Sequence, residues 1–129
     1  MRHFLYTVGT IKSFEAAVEA VEAQVGKNNF RVMHSYDVAA TLAEEGFHRG
    51  PLKIIEICQA RFADEILKRD VSVALMLPCP ITVYTEGEKT FIATMRPQAL
   101  TEFSPGSGLE EIAAQMETAI LQIVDEARG

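Results

Sequence analysis

The chain of 129 residues has no tryptophan, three histidines and only two cysteines, Cys58 and Cys79. Two cysteines in a reducing compartment read as thiols rather than a disulfide. Basic residues are the minority: 12 Lys and Arg stand against 18 Asp and Glu, for a net charge of −6. The cations are scattered among acids, so the chain offers no basic face for nucleic acid or an anionic membrane surface. Eight glycines and five prolines are too few for a disordered or linker-rich chain. The longest charge-free run, Val71–Thr85, is broken by Pro78 and Pro80 and is too polar for a membrane span of ~20 apolar residues. Met1-Arg2-His3-Phe4 shows no apolar leader pattern, and a cytoplasmic protein is the expectation. Chemical motifs are equally scarce. There is no Cys-x-x-Cys, no Gly-x-Ser-x-Gly and no glycine-rich phosphate loop, and a zinc site would have to gather His3, His34 or His48 from separate segments. No metal and no cofactor is expected.

What is present suffices for one domain over residues 1–129. Hydrophobic residues make up 48% of the chain, enough for a sizeable core. Arg2–Val8 alternates as a strand, with Phe4, Tyr6 and Val8 on one face. Ser13 caps a helix in which Phe14, Val18, Val21 and Val25 share a side, and Gly26 marks its end. Phe30–Tyr36 reads as a strand with Phe30, Val32, His34 and Tyr36 together. Asp37 caps a short helix over Val38–Glu45, which Gly46 closes. Leu52–Cys58 is a strongly apolar strand, followed by a helix over Ala60–Arg69. Asp70–Leu77 fits an extended run or a last helical turn. Ile81–Thr85 and Lys89–Met95 flank Glu86-Gly87-Glu88 as a hairpin. Arg96–Ser104 reads as a connector, and Ser107-x-x-Glu110 as a capping box before a long helix carrying Leu109, Ile112, Met116, Ile120 and Ile123 on one stripe.

This order predicts an α+β fold: a largely antiparallel sheet with two long helices on one face. The second face is expected to carry Leu5, Met33 and Ile92 beside Thr82, Tyr84, Thr90 and Thr94. Such a face is too apolar to be simply solvated, and a partner or ligand is expected there. A homodimer is the simplest partner, and a small molecule the other.

Several segments together resemble a known family. They are the helix Phe14–Val25 with Gly26, the Asp37…Leu42…Gly46 segment, Ile54-Ile55-Glu56-Ile57-Cys58, and Leu77-Pro78-Cys79-Pro80-Ile81-Thr82-Val83-Tyr84. The chain resembles the bacterial and archaeal domain-of-unknown-function family 302, DUF302. The resemblance implies a curved sheet with helices on one face, similar to the fold of the TATA-box-binding protein, and it is compatible with dimerisation. It implies no activity. The chain departs from the family pattern at Gln59-Ala60, where Asn-Pro is frequent, and at Asp70-Val71, where Asp-Pro is frequent.

The candidate chemistry centres on Cys79, Cys58 and Glu56. Leu77 and Cys79 each precede a proline, so the segment is stiff and extended. Because proline donates nothing to a ladder, it belongs at a strand's first residues or on an edge. Glu56 alternates onto the same face as Cys58, where burial would raise its pKa and make it an acid or base. If the strands of Cys58 and Cys79 are antiparallel neighbours, the two thiols lie at one end of the sheet. If they are parallel, a strand length separates them. His34, Tyr84, His48 and Arg49 are candidate ligand-binding residues. Two readings stand: a dimeric, non-catalytic module that binds a ligand or protein, which is favoured, and a thiol-dependent enzyme or redox or sulfur-handling protein using Cys79 or Cys58 with Glu56.

Overall fold

A computed structural model describes residues 2–129. In chain order the elements are β1 (Leu5–Thr10), α1 (Phe14–Lys27), β2 (Arg31–Asp37), α2 (Val38–Glu44), β3 (Leu52–Cys58), α3 (Ala60–Arg69), β4 (Cys79–Glu86), β5 (Lys89–Met95), α4 (Ala99–Phe103) and α5 (Glu110–Arg128). Short 3-10 turns cover Arg2–Phe4 and Val71–Met76. The five strands form one sheet in the order β1-β5-β4-β3-β2, and every neighbouring pair is antiparallel.

Helices α1 and α5 pack against each other and against one face of this sheet. Val8, Ile55, Ile57, Ile81, Val83 and Ile92 project from the strands into that layer. They meet Val21 and Val25 of α1 and Ile120, Ile123 and Val124 of α5, all but fully buried. The apolar stripes read from the sequence are therefore the seams of the core. Ser13 caps α1 by accepting from the Ala16 amide, and Asp37 caps α2 by accepting from the Ala40 amide.

Four expectations give way to different geometry. Helix α1 runs past Gly26 to Lys27, and the left-handed residue at its end is Asn29 (φ 64°), a conformation asparagine tolerates well. Ser107 does not cap α5. Gly108 (φ 71°) turns the chain first, so the helix starts at Glu110 and the Ser107 hydroxyl bonds to that of Ser104. The connector after β5 contains α4. Finally, β2 does not alternate throughout. Its register shifts between Val32, opposite Ile57, and His34, opposite Glu56. Met33 is the extra residue of a bulge, which puts Val32 and His34 on different faces.

The face assignment is corrected too. Directly opposed residues on antiparallel strands share a face. Ile92 lies opposite Val83, Thr94 opposite Ile81 and Thr90 opposite Thr85. Ile92, Thr90 and Thr94 are thus buried under the helices and do not belong to the second face. Threonines fit there because their methyl groups pack, and the Thr94 hydroxyl donates to the Pro80 carbonyl at 2.8 Å.

Candidate functional site

The strand registers link into rows across the second face. One row reads Leu5, Met95, Pro80, Glu56, His34. The next reads Thr7, Ala93, Thr82, Ile54, Tyr36, and the third Gly9, Phe91, Tyr84, Leu52. The middle row is small over β1, β5 and β4, while the outer rows, Gly9 apart, carry larger and mostly apolar side chains. Tyr84 stacks on Phe91 with ring centroids 5.6 Å apart. Leu5 remains 47% exposed. The face changes character along its width: β1, β5 and β4 carry the apolar part, whereas β3 and β2 bring in Glu56, His34 and Tyr36. Glu56 and His34 are register partners, which the bulge at Met33 makes so.

The cysteines lie at one end of neighbouring strands. Ile57 is opposite Cys79 in the antiparallel β3–β4 pair, so Cys58 and Cys79 are close. Both line a cavity of about 10 Å³ together with Phe30, Ile57, Phe62 and Leu77. That volume holds about one water molecule. Burial, with a smaller contribution from Cys58, pushes the Cys79 thiol up to about 12. Burial also raises Cys58. Thiols held this way stay protonated at neutral pH and are poor nucleophiles. Glu56 is parted from Cys79. It lies opposite Pro80, one register step from Cys79, and so on the other face of the sheet, onto which Cys58 also alternates. Pro78 and Pro80 bracket the first residue of β4, and the Leu77–Pro78 peptide is cis. β4 is a central strand, so the prolines mark a strand start and not an edge.

His48 and Arg49 lie in the exposed β2–β3 connection, where the Arg49 Nε donates to the Gly50 carbonyl. Among the described residues no group of three or more His, Cys, Asp or Glu is arranged to hold a metal ion.

Two features escaped the sequence reading. The first is a hollow of about 290 Å³ at the corner of the second face, bounded by Gly9, Thr10, Ile11, Lys89, Thr90 and Phe91. A glycine inside an alternating strand was its one available signal. The second is a polar clasp. The Asp70 carboxylate accepts from the Ser72 amide and hydroxyl and from the buried Ser104 hydroxyl. These bonds hold its carboxyl below the usual carboxylate range. They also tie the end of α3 to the turn before α5.

Residues 6–127 match the family described as domain of unknown function DUF302. The chain belongs to the DUF302 family. Its fold is similar to the crystal structure of an uncharacterized conserved DUF302 protein from Bacillus stearothermophilus. The TM-score is 0.91 at 29% sequence identity, covering 97% of this chain and 98% of that one. A comparison with curated proteins finds no match. Gln59 and Asp70 each take a local role. Gln59 precedes α3 without a side-chain cap and donates to the Asn29 carbonyl instead, while Asp70 caps the 3-10 turn that follows α3.

Proposed function

We propose that this DUF302 protein is a non-catalytic, homodimeric binding module that works through the second face of its sheet. The observation that carries the reading is the row pattern over β1, β5 and β4. Leu5, Met95, Phe91, Tyr84 and Pro80 form a largely apolar surface on the side opposite α1 and α5. Surfaces of this kind mark association sites. The thiol reading draws support from the nearness of Cys58 and Cys79, but the chemistry opposes it. Their shared cavity admits about one water, both thiols are raised, and Glu56 lies on the face opposite Cys79.

A cytoplasmic location belongs to the same proposal. Both cysteines are free, and no helix among the described residues is long and apolar enough to cross a membrane. The net charge of −6 disfavours nucleic acid as the partner.

Native mass spectrometry of protein purified gently from cells tests the module reading. A dimer, or a bound mass lost on substituting residues of the second face, is the expected result. A bound mass lost with Cys79→Ser but kept in Phe91→Ala would replace it with the thiol reading.

A further inference from the structure

The inference rests on the module reading and names the occupant of the second face. Gly9 is the starting point. Glycine weakens a strand interior and often marks a place where another chain or a ligand approaches closely. Nothing in the monomer requires it. Its φ lies outside the left-handed region, and a Cβ would meet only the Phe91 ring, at 3.7 Å, an ordinary van der Waals contact. The hollow of about 290 Å³ lies beside it, and Ile11 on its wall is fully exposed.

On the same strand and the same face, Leu5 protrudes at 47% exposure. Thr7 lies midway between Leu5 and Gly9, ~6.6 Å from each at ~3.3 Å per residue. We propose that a second copy of this chain packs face to face on the sheet, about a twofold axis running across the strands along Thr7, Ala93 and Thr82. That operation exchanges the two outer rows. Leu5 enters the hollow at the partner's Gly9, Met95 covers the partner's Phe91, and Pro80 covers the partner's Tyr84. The small middle row lets the two sheets approach. One knob and one hole per copy make the contact self-complementary and closed, as a twofold dimer requires.

The polar part of the face has its own place. Strands in a sheet rotate by ~20–25° relative to each neighbour, so two facing sheets diverge away from their centre. With the contact centred near β5, β3 and β2 splay outward. Glu56, His34 and Tyr36 then line a wet rim. Three contacting strands at ~4.8 Å and a length of about 20 Å give a footprint on the order of 300 Å² per copy. That is the size of a weak, transient contact, so the dimer is strongly concentration-dependent.

Sedimentation velocity across a dilution series, with thermal denaturation in parallel, tests this. Wild type is expected to pass from monomer to dimer as concentration rises. Gly9→Val is expected to keep or raise the melting temperature, because valine suits a strand, yet weaken the dimer ~10-fold or more by filling the hole. Leu5→Ala is expected to weaken it in the same direction, and Met33→Lys on the exposed β2 edge to leave it unchanged. A dimer that survives Gly9→Val and dissociates with Met33→Lys would overturn the proposal in favour of edge pairing, with the module reading intact. A monomer carrying a small-molecule mass that Gly9→Val removes would also overturn it, because the hollow then holds a ligand. A monomer without added mass at every concentration would overturn both readings.

Discussion

The two faces of one sheet solve the same alternating pattern in different ways. On one, Ile55, Ile57, Ile81, Val83 and Ile92 are fully buried beneath α1 and α5. On the other, Leu5, Thr7, Gly9, Phe91 and Tyr84 follow the same period of two, yet the large side chains there are only partly covered. A buried face is held by volume and shape, so its residues answer to stability. A partly covered apolar face adds little to the monomer and answers to association. Substitutions on the two faces should therefore separate folding from binding.

The largest contrast is chemical. Native Cys79, raised from its ordinary 9.0 to about 12, carries about a thousandfold less thiolate at pH 8 than the unfolded chain. Alkylation followed by mass should be slow in buffer and fast in denaturant. Fast labelling of native Cys79 would restore the thiol reading. Next in size, Ile92→Ala on the helix-covered face should cost ~2–5 kcal/mol in urea denaturation. Leu5→Ala, measured at dilute protein, should cost less than ~1 kcal/mol, because half of that side chain already meets water. Equal costs would erase the distinction between the faces.

A smaller effect concerns how α5 is fastened to β1. The Tyr6 hydroxyl donates to Asp125, and Arg96 stacks over the Tyr6 ring while pairing with Glu117. Tyr6→Phe should lose ~0.5–1.5 kcal/mol, the worth of one hydrogen bond. The smallest effect is acidic. Asp70 is held below its ordinary pKa, so its contribution is present above that value and is lost as pH falls through the lowered folded one. Asp70→Asn should melt lower than wild type near neutrality, and the gap should close in acid. A gap that stays constant with pH would mean that the carboxylate charge is not what the Ser72 and Ser104 hydroxyls recognise.

Much of this fold could be read ahead of the structure because its signals are local. The stripes Val18, Val21, Val25 and Ile112, Met116, Ile120, Ile123 are helix periodicity, and Glu86-Gly87-Glu88 is turn chemistry. Both survive without tertiary context. The errors arose where long-range pairing decides. Ile92 and Thr94 alternate with Ala93 and Met95, and alternation alone does not say which set faces the helices. The pairing of Val83 with Ile92 does. The bulge at Met33 has no sequence mark, so alternation alone groups His34 with Val32 and not with Glu56. Similarly, Ser107 has the spacing of a capping box, but Gly108 bends the chain before the helix starts and Asp70, distant in sequence, supplies the polar cluster that Ser104 and Ser107 join. The site was readable in part. Cys58, Cys79 and Glu56 stood out by residue type, whereas the hollow at Gly9 is visible only once β1 is paired with β5.

That last pairing also governs the order of assembly. The strand nearest the chain's start, Leu5–Thr10, bonds only to Lys89–Met95 within the sheet. During synthesis at ~5–20 residues per second, Leu5–Thr10 leaves the ribosome several seconds before its mate is made. The hairpins β2–β3 and β4–β5 close over shorter loops, and the long closure comes last because its entropy cost is recovered only when β5 exists. Over that interval Leu5, Tyr6 and Val8 are an unpaired apolar strand. Gly9 among them, poor at holding an extended conformation, lowers the tendency of that segment to pair with the wrong edge before the right one arrives.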